Sequence, residues 1–364
     1  MAPTGLSARE RSLLPTDVPL SLLSKRGEPV ADPALAMPAD EVLLELHRRI
    51  VIGRRFDTQA TALTRQGRLA VYPSSRGQEA CQVGSVLALR EQDWLFPTYR
   101  DSVALVTRGV DPVETLTLLQ GSWHLGYDPY VHRVGPQCTP LATNTLHAVG
   151  VAHAARLKGE DTVAVVLLGD GATSEGDTHE ALNFAAVWKA PVVFLVQNNG
   201  YAISVPMSKQ NVAPSLAHKG VGYGVPSYLI DGNDPAAVYA TVREAVGVAA
   251  AGGGPSLIEA LTYRIEAHTN ADDATRYRES DEVAAWLDRD PLDRIERYLG
   301  SRGLLDEARR TEILAEAEDF AALVREGMNA EPELDPADLF AHVYAQPTAA
   351  LREQAALLAE ELSS

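Results

Sequence analysis

Two side chains with hard oxygen atoms follow two apolar segments of this 364-residue sequence. Asp170 lies in a Gly-Asp-Gly turn directly after the apolar run 163–168, and Asn199 ends an Asn-Asn pair shortly after the run 192–196. Carboxylate, carboxamide and backbone carbonyl oxygens suit Mg²⁺, which takes phosphate oxygens in its remaining positions. The turn glycines let backbone N–H groups approach phosphate closely. The pattern therefore predicts a site for a Mg²⁺-bound diphosphate, whereas Gly-Asp-Gly alone would favour an ordinary turn with a capping aspartate.

A strand–helix–strand unit must position these two side chains. Both apolar runs are short and apolar on both faces, which is typical of parallel strands covered by helices on each side. The segment 177–189 has a helical composition and ends before Pro191, as a helix should. Open α/β sheets bind ligands at the carboxyl ends of their strands, so we expect Asp170 and Asn199 to lie side by side at that edge.

The remaining pattern predicts an α/β fold with a doubly wound, mostly parallel sheet, helices on both faces, and N- and C-terminal helical extensions. Two further strands, 227–230 and 256–261, alternate with a helix over 234–251. The predicted organisation is a partly disordered N-terminal arm (1–38), the α/β domain (39–330) and a C-terminal helical extension (331–364).

Two polar segments lie where further ligand contacts are expected. Tyr99 and Arg100 open a helix, where a guanidinium is unfavourable for the helix dipole unless an anion binds there. A surface pair with Asp101 or Asp111 is the alternative for Arg100. The segment 266–278 follows a strand, is polar and offers almost nothing to bury, which is typical of functional or disordered loops.

The charge balance excludes several classes of partner. The chain has 32 basic and 49 acidic residues and a net charge of −17, which argues against nucleic acid and anionic membranes as partners. No apolar run reaches the length of a membrane span. Cys81 and Cys138 stand outside any CxxC or zinc-like pattern, which indicates a reducing compartment, and we expect a cytoplasmic protein.

The string 163–204 closely resembles the α subunit of the E1 component of 2-oxoacid dehydrogenase complexes, most closely the bacterial branched-chain type. The resemblance extends from about residue 56 to residue 354. Within it, Gly-Asp-Gly followed by Asn-Asn is similar to the thiamine diphosphate motif of that family. The resemblance therefore implies a thiamine diphosphate-binding fold, with thiamine diphosphate and Mg²⁺ as cofactors.

The resemblance also implies which residues form the site. The implied metal ligands are Asp170, Asn199 and the backbone carbonyl of Tyr201. Leu141 is the implied wedge that bends the cofactor, and Thr139 is the implied contact of its pyrimidine ring. The full implied set of cofactor-binding residues is Tyr99, Arg100, Thr139, Leu141, Gly169, Asp170, Gly171, Ala172, Asn199, Tyr201, Ala202 and His268.

Three further positions carry expectations from the resemblance. His268 is the implied catalytic residue, which meets the diphosphate and assists transfer of the acyl group to lipoamide. Animal branched-chain relatives carry Arg where Gln197 stands, so one charged contact with the diphosphate is expected to be missing. Thr143 and Asn144 resemble a monovalent-cation (K⁺) site of some relatives, and Cys138 and Asn144 depart from the animal pattern there.

The implied activity is oxidative decarboxylation of branched-chain 2-oxoacids, followed by transfer of the acyl group to the lipoyl group of the E2 acyltransferase. The chain shows one diphosphate-side module, and in the family that it resembles a separate β subunit supplies the other half of each site, so the resemblance implies an α2β2 tetramer. The alternatives are the α subunit of pyruvate dehydrogenase E1 or of acetoin dehydrogenase. A dinucleotide-binding oxidoreductase is disfavoured because Gly-Asp-Gly lacks the third glycine. A non-catalytic scaffold is disfavoured because the expected metal ligands and catalytic residue are intact.

Overall fold

The computed structural model describes residues 13–33, 35–121, 126–330 and 335–363. In chain order the strands are β1 (Trp94–Phe96), β2 (Ala164–Gly169), β3 (Val192–Asn198), β4 (Tyr201–Ala202), β5 (Val205–Pro206), β6 (Ser227–Asp231) and β7 (Ser256–Leu261). Within the described residues, five of them form one sheet in the order β1-β2-β3-β7-β6, and every neighbouring pair is parallel. β4 and β5 form a separate antiparallel hairpin. The predicted doubly wound, parallel sheet is confirmed.

Helices precede, connect and follow the strands. In chain order they are α1 (Asp40–Arg65), α2 (Glu79–Ala88), α3 (Ser102–Arg108), α4 (Pro112–Thr117), α5 (Pro129–His132), α6 (Thr143–Lys158), α7 (Gly176–Trp188), α8 (His218–Val221), α9 (Pro235–Ala250), α10 (Ser280–Leu287), α11 (Pro291–Ser301), α12 (Glu307–Asn329), α13 (Asp338–Ala341) and α14 (Ala349–Ser363). Short 3₁₀ turns include Gly171–Ser174, which directly follows the predicted metal ligand Asp170.

Both faces of the sheet are buried because successive side chains of a strand point to opposite faces. Ala164, Val166 and Leu168 of β2 pack in one apolar core with residues of α6 and α7. Val165 and Leu167 point to the other face and are also fully buried. Helix α9 packs against strands β3, β6 and β7 of the sheet. The continuous apolar runs of the sequence follow from this double coverage.

The register of the central strands decides where the polar residues emerge. Gly169 at the end of β2 is paired with Gln197 near the end of β3. The two strands therefore end at the same level, and Asp170 and Asn199 leave the sheet beside one another. β7 ends at the same edge, because Leu261 is paired with Asn198.

Part of the N-terminal segment lies against the edge of the sheet. Leu20 forms a parallel bridge with Ile230 of β6. The Asp234 carboxylate accepts hydrogen bonds of 2.6 Å from the backbone N–H groups of Leu22 and Leu23. Residues 1–12 of the predicted arm lie outside the described residues, and the partly disordered arm over 1–38 stays a prediction.

The chain divides into two compact units, residues 1–325 and 326–364. The first contains the sheet, and the second contains α13 and α14. The predicted domain limits, 39–330 and 331–364, stay predictions. Among the helices of the described ranges, none combines the length and the apolar character that crossing a bilayer would require.

Candidate functional site

A cavity of about 190 Å³ opens at the carboxyl ends of β2 and β3. The predicted cofactor-binding residues that line it are Tyr99, Arg100, Leu141, Gly169, Asp170, Gly171, Ala172, Asn199, Tyr201, Ala202 and His268. Thr139 is exposed and is not part of the wall, which Leu141 forms at this point. The fold thus brings together residues that are as far apart in sequence as Tyr99 and His268.

Asp170 is a buried carboxylate at the tip of β2. Its backbone carbonyl accepts hydrogen bonds from the N–H (3.1 Å) and hydroxyl (2.7 Å) of Thr173, which close the turn after the strand. Its Oδ2 atom accepts a hydrogen bond of 2.7 Å from Nε2 of Gln210. Burial raises the pKa of Asp170 above its ordinary value. A bound cation would offset this loss of hydration.

Asn199 is buried beside Asp170 and is held from two sides. Its Nδ2 donates to Oε1 of Gln78 at 3.0 Å, and its Oδ1 accepts from the N–H of Tyr201 at 3.1 Å. An amide oxygen has two lone pairs, so Oδ1 keeps one for a ligand. No three His, Cys, Asp or Glu side chains of the described residues cluster as metal ligands. A metal here would rely on mixed oxygen donors, and such a set fits Mg²⁺.

The hairpin β4–β5 closes tightly over the turn that follows Asp170. A Cβ atom added to Gly171 would lie only 2.7 Å from Cβ of Ala202, so this position requires glycine. Ile203, in the turn of the hairpin, has a φ of 57°, which is rare for a β-branched residue. Such backbone strain is often found at ligand sites. The close approach brings the backbone of Gly171 and the hairpin together in the wall of the cavity.

Two buried guanidinium groups face the cavity. Arg100 donates from Nη1 to the carbonyl of Ser74 at 3.0 Å and from Nη2 to the carbonyl of His268 at 3.0 Å. Arg264 is 1% exposed and donates from Nη2 to the carbonyl of Ile203 at 2.8 Å. Its Nε has no hydrogen-bond partner among the described residues. Burial, and next the charge of Arg100, lower the pKa of Arg264.

Neither Arg100 nor Arg264 forms an ion pair with a carboxylate within the described residues. Buried charges are normally paired, and guanidinium groups bind phosphate oxygens in a bidentate manner. The two side chains therefore give this wall of the cavity a positive charge that could neutralise an anion.

A buried carboxylate of α1 supports Arg100 from behind. Asp57 accepts hydrogen bonds from the hydroxyl of Ser74 (2.7 Å), the N–H of Ser75 (2.7 Å) and the hydroxyl of Tyr72 (2.8 Å). Burial raises the pKa of Asp57 to about 6. Because Ser74 in turn accepts from Arg100, this network fixes the guanidinium in the cavity wall.

His268 lies between the two arginines. Its Nδ1 is 3.0 Å from Nη2 of Arg100 and 3.4 Å from Nη1 of Arg264. Burial, and then the charges of the two arginines, lower the pKa of His268 to about 4. The ring is therefore neutral at pH 7, accepts at Nδ1 and carries its proton on Nε2.

The polar loop after β7 is held by its own hydrogen bonds. Asp272 accepts from the N–H of His268 at 2.8 Å, and the hydroxyl of Tyr277 contacts both Asp272 and Arg264. Arg278 donates to backbone carbonyls of this loop, including that of Ile265 at 2.6 Å. The loop thus uses polar contacts rather than apolar burial to hold His268 in place.

Several residues of the cavity wall were not predicted as site residues from the sequence, notably Gln78, Glu175, Ile203 and Arg264. A signal was available for Arg264, because it follows the buried strand β7 at the same edge of the sheet as Asp170 and Asn199. No comparable signal marks Gln78, which lies at the start of α2 and reaches Asn199 only in the folded chain.

The predicted monovalent-cation (K⁺) site near Thr143 and Asn144 stays a prediction. Nδ2 of Asn144 donates to the carbonyls of Leu167 (2.8 Å) and Pro97 (3.2 Å). The thiol of Cys138 donates to the carbonyl of Pro140 at 3.1 Å. Each of these contacts uses one of the two lone pairs of a carbonyl oxygen, and a thiol is a poor ligand for a hard cation.

The family model of the dehydrogenase E1 component matches residues 47–333 of this chain. The chain is 45% identical over 346 residues to the 3-methyl-2-oxobutanoate dehydrogenase subunit alpha of Mycobacterium tuberculosis, which covers 95% of this chain and 94% of that protein. It is 40% identical over 317 residues to the pyruvate dehydrogenase E1 component subunit alpha of Staphylococcus aureus, which covers 86% and 85%. The predicted resemblance is confirmed: the chain belongs to the dehydrogenase E1 component family, and this membership implies thiamine diphosphate as its cofactor.

Proposed function

We propose that this chain is the α subunit of an E1 component that decarboxylates branched-chain 2-oxoacids and passes the acyl group to the lipoyl group of an E2 acyltransferase. The similarity to the 3-methyl-2-oxobutanoate enzyme is higher, and covers more of the chain, than the similarity to the pyruvate enzyme. The observation that carries the proposal is one cavity lined both by Asp170 and Asn199 and by two buried guanidinium groups. Those groups, of Arg100 and Arg264, form no ion pair within the described residues.

In this proposal, different residues of the cavity wall bind the metal and the diphosphate. Asp170, Asn199 and the carbonyl of Tyr201 would hold Mg²⁺. Arg100 and Arg264 would neutralise the diphosphate, whose oxygens also meet the backbone at Gly171. Arg264 supplies a second positive charge beside Arg100, whereas the side chain at position 197 is neutral.

The chemistry is divided between cofactor and protein. Bound thiamine diphosphate supplies the nucleophilic carbon and the electron sink that decarboxylation of a 2-oxoacid needs. Leu141 presents an apolar side chain to the cavity, which suits the proposed wedge. His268 is neutral and holds a proton on Nε2, so it can donate a hydrogen bond to a phosphate or substrate oxygen at pH 7.

A β subunit would complete the site in an α2β2 tetramer. Asp170 and Glu175 are the carboxylates in the described wall of the cavity, and Asp170 is committed to the metal. Glu175 is exposed at the rim. Activation of the aminopyrimidine of the cofactor needs a further carboxylate, which we assign to the β subunit.

The cytoplasmic location stays a prediction, with both cysteines free as expected.

A substrate comparison tests the proposal. The full-length chain, purified with its β subunit, would be assayed for decarboxylation of 3-methyl-2-oxobutanoate and of pyruvate with Mg²⁺, thiamine diphosphate and an artificial electron acceptor. We expect kcat/KM to be at least about 10-fold higher for the branched substrate, since extra methyl groups in a fitted pocket have effects of that size. A preference for pyruvate would favour the alternative, a pyruvate dehydrogenase α subunit, which the 40% identity supports. Robust turnover by the chain alone would contradict the need for a β subunit.

A further inference from the structure

Four buried polar side chains form a continuous line of hydrogen bonds that ends at Asn199. Nδ2 of Asn199 donates to Oε1 of Gln78 at 3.0 Å, and Nε2 of Gln78 donates to Oε1 of Gln197 at 3.1 Å. Nε2 of Gln197 then donates to Oδ1 of Asp101 at 2.7 Å. All four residues are at most 6% exposed, so water does not compete for these contacts. We call these four residues the amide relay.

The two ends of the amide relay fix its direction. At one end, the Asp101 carboxylate can only accept, and its Oδ2 is held by the N–H and hydroxyl of Thr98, both at 2.7 Å. Although Asp101 is the N-cap residue of α3, its side chain does not cap that helix. At the other end, the N–H of Tyr201 can only donate, and it donates to Oδ1 of Asn199 at 3.1 Å.

Only one orientation of the three amides satisfies both ends. If Asn199 turned over, its Nδ2 would face the N–H of Tyr201, and its Oδ1 would face Oε1 of Gln78. Both contacts would be repulsive, and a buried unsatisfied polar group is costly. Reversing Gln78 or Gln197 creates the same conflict one step further along the relay.

We propose that Asp101, Gln197 and Gln78 are positioning residues that keep the side-chain oxygen of Asn199 directed at the metal. The inference rests on the proposed function, in which Asn199 is a ligand of Mg²⁺. An amide oxygen binds this cation and an amide N–H₂ group does not, so the direction of the relay decides whether Asn199 can serve as a ligand. Groups that orient metal ligands commonly contribute 10- to 100-fold to metal affinity.

The amide relay also explains the neutral residue at position 197. Both polar atoms of the Gln197 side chain are engaged inside the relay, one with Asp101 and one with Gln78. Gln197 therefore acts on the metal ligand rather than on the diphosphate. The positive charges that face the cavity come from Arg100 and Arg264 instead.

Exchanging the carboxylate and the amide within the relay tests its direction. In Asp101→Asn, the new Nδ2 can face Gln197 while its oxygen keeps the Thr98 contacts, which favours the reversed relay. Adding Gln197→Glu places an acceptor-only group one step closer to Asn199, so the original direction returns with the same net charge. Gln197→Leu is a second single variant, which removes both contacts of residue 197 and releases Gln78.

The measured quantity is the Mg²⁺ dissociation constant at saturating thiamine diphosphate. It is determined by calorimetry or intrinsic fluorescence on the full-length chain together with its β subunit. We expect Asp101→Asn and Gln197→Leu each to raise this constant at least about 10-fold. The double variant Asp101→Asn/Gln197→Glu should return it to within about 3-fold of the wild-type value, because the two changes act as a coupled pair. Thermal unfolding without ligand would show that each variant is folded.

Three results would overturn the inference. Mg²⁺ binding within about twofold of wild type in both single variants would show that the relay does not orient Asn199. A double variant as weak as Asp101→Asn, or weaker, would show that burial rather than direction matters. Wild-type protein that binds no Mg²⁺ with thiamine diphosphate would overturn the proposed function itself, and with it the role of the relay.

Discussion

Nη2 of Arg100 lies 3.0 Å from Nδ1 of His268 and 3.0 Å from the carbonyl oxygen of the same histidine. A guanidinium can only donate, so Nδ1 accepts and the neutral imidazole keeps its proton on Nε2. The side chain proposed to neutralise the diphosphate therefore also fixes the tautomer of the proposed catalytic residue.

Arg100 and Arg264 are expected to bind the diphosphate rather than the thiamine moiety. Arg100→Met and Arg264→Met should each weaken thiamine diphosphate binding by at least about 10-fold, because a charge-assisted hydrogen bond is lost. Affinity for unphosphorylated thiamine should change much less. Calorimetry with both ligands checks this, and Arg68→Met, at an exposed position, is the matched control. An unchanged thiamine diphosphate affinity in Arg264→Met would remove Arg264 from the site.

His268 is expected to make the stability of the ligand-free chain depend on pH. Its pKa is about 4 in the folded chain, below the ordinary value of 6.5. The unfolded chain takes up a proton below pH 6.5 that the folded chain binds only near pH 4, so this contribution is fully present above pH 6.5 and is lost as the pH falls.

The check is urea unfolding of the wild type and of His268→Asn between about pH 4.5 and 7.5. The decline in the free energy of unfolding toward low pH should be smaller in the variant, whereas His342→Asn, at an exposed position, should leave the wild-type slope intact. Equal slopes for His268→Asn and wild type would contradict the lowered pKa.

The ionised Asp170 side chain is expected to lower the stability of the ligand-free fold and to bind the metal. Burial raises its pKa, so the ionised side chain destabilises the ligand-free fold at neutral pH, and this penalty is relieved as the pH falls through the folded pKa. Asp170→Asn should therefore unfold at the same or a higher temperature than wild type without ligand. Mg²⁺ with thiamine diphosphate should raise the melting temperature of wild type but not of the variant.

The control for Asp170 is Asp281→Asn, at an exposed position of α10, which should keep the full ligand-induced shift in melting temperature. Differential scanning calorimetry measures both quantities. A ligand-induced shift of wild-type size in Asp170→Asn would show that this carboxylate is not a metal ligand.

Gly171 is expected to tolerate no side chain. In Gly171→Ala, the new Cβ would lie 2.7 Å from Cβ of Ala202, so the β4–β5 hairpin must shift. We expect a loss of about 1–3 kcal/mol in the free energy of unfolding and weaker thiamine diphosphate binding. Gly150→Ala in α6 is the matched control, because a Cβ there meets nothing within 4 Å. Denaturant unfolding should show this control to be neutral or stabilising.

The loop 266–278 is expected to become more protected when the site is filled. It carries exposed Arg276, a trypsin site, and its arginine-rich surroundings would contact a polyanionic ligand. Trypsin should cleave it more slowly in the presence of Mg²⁺ and thiamine diphosphate than with Mg²⁺ and thiamine. Equal cleavage rates under the two conditions would contradict the hypothesis.

The sheet and its ligand edge could be predicted from the amino-acid pattern alone. Short runs that are apolar on both faces are typical of covered parallel strands, and the residues that follow such strands lie at one edge of the sheet. The positions of Asp170 and Asn199 follow from this local rule. The unfavourable position of an arginine at a helix start, together with the resemblance, likewise predicted Arg100 as a site residue, and the resemblance predicted His268.

The orientation of these residues depends on how distant elements pack together. Gln78 and Gln197 are 119 positions apart, yet their hydrogen bond helps to set the direction in which Asn199 points. The exposed position of Thr139, the engagement of Asn144 with carbonyl oxygens, and the second cation at Arg264 also depend on which distant groups meet. Local sequence patterns predict whether a side chain is buried, because buried positions repeat with the period of a strand or helix. They do not record which donor faces which acceptor, because that pairing arises only when separate elements pack together.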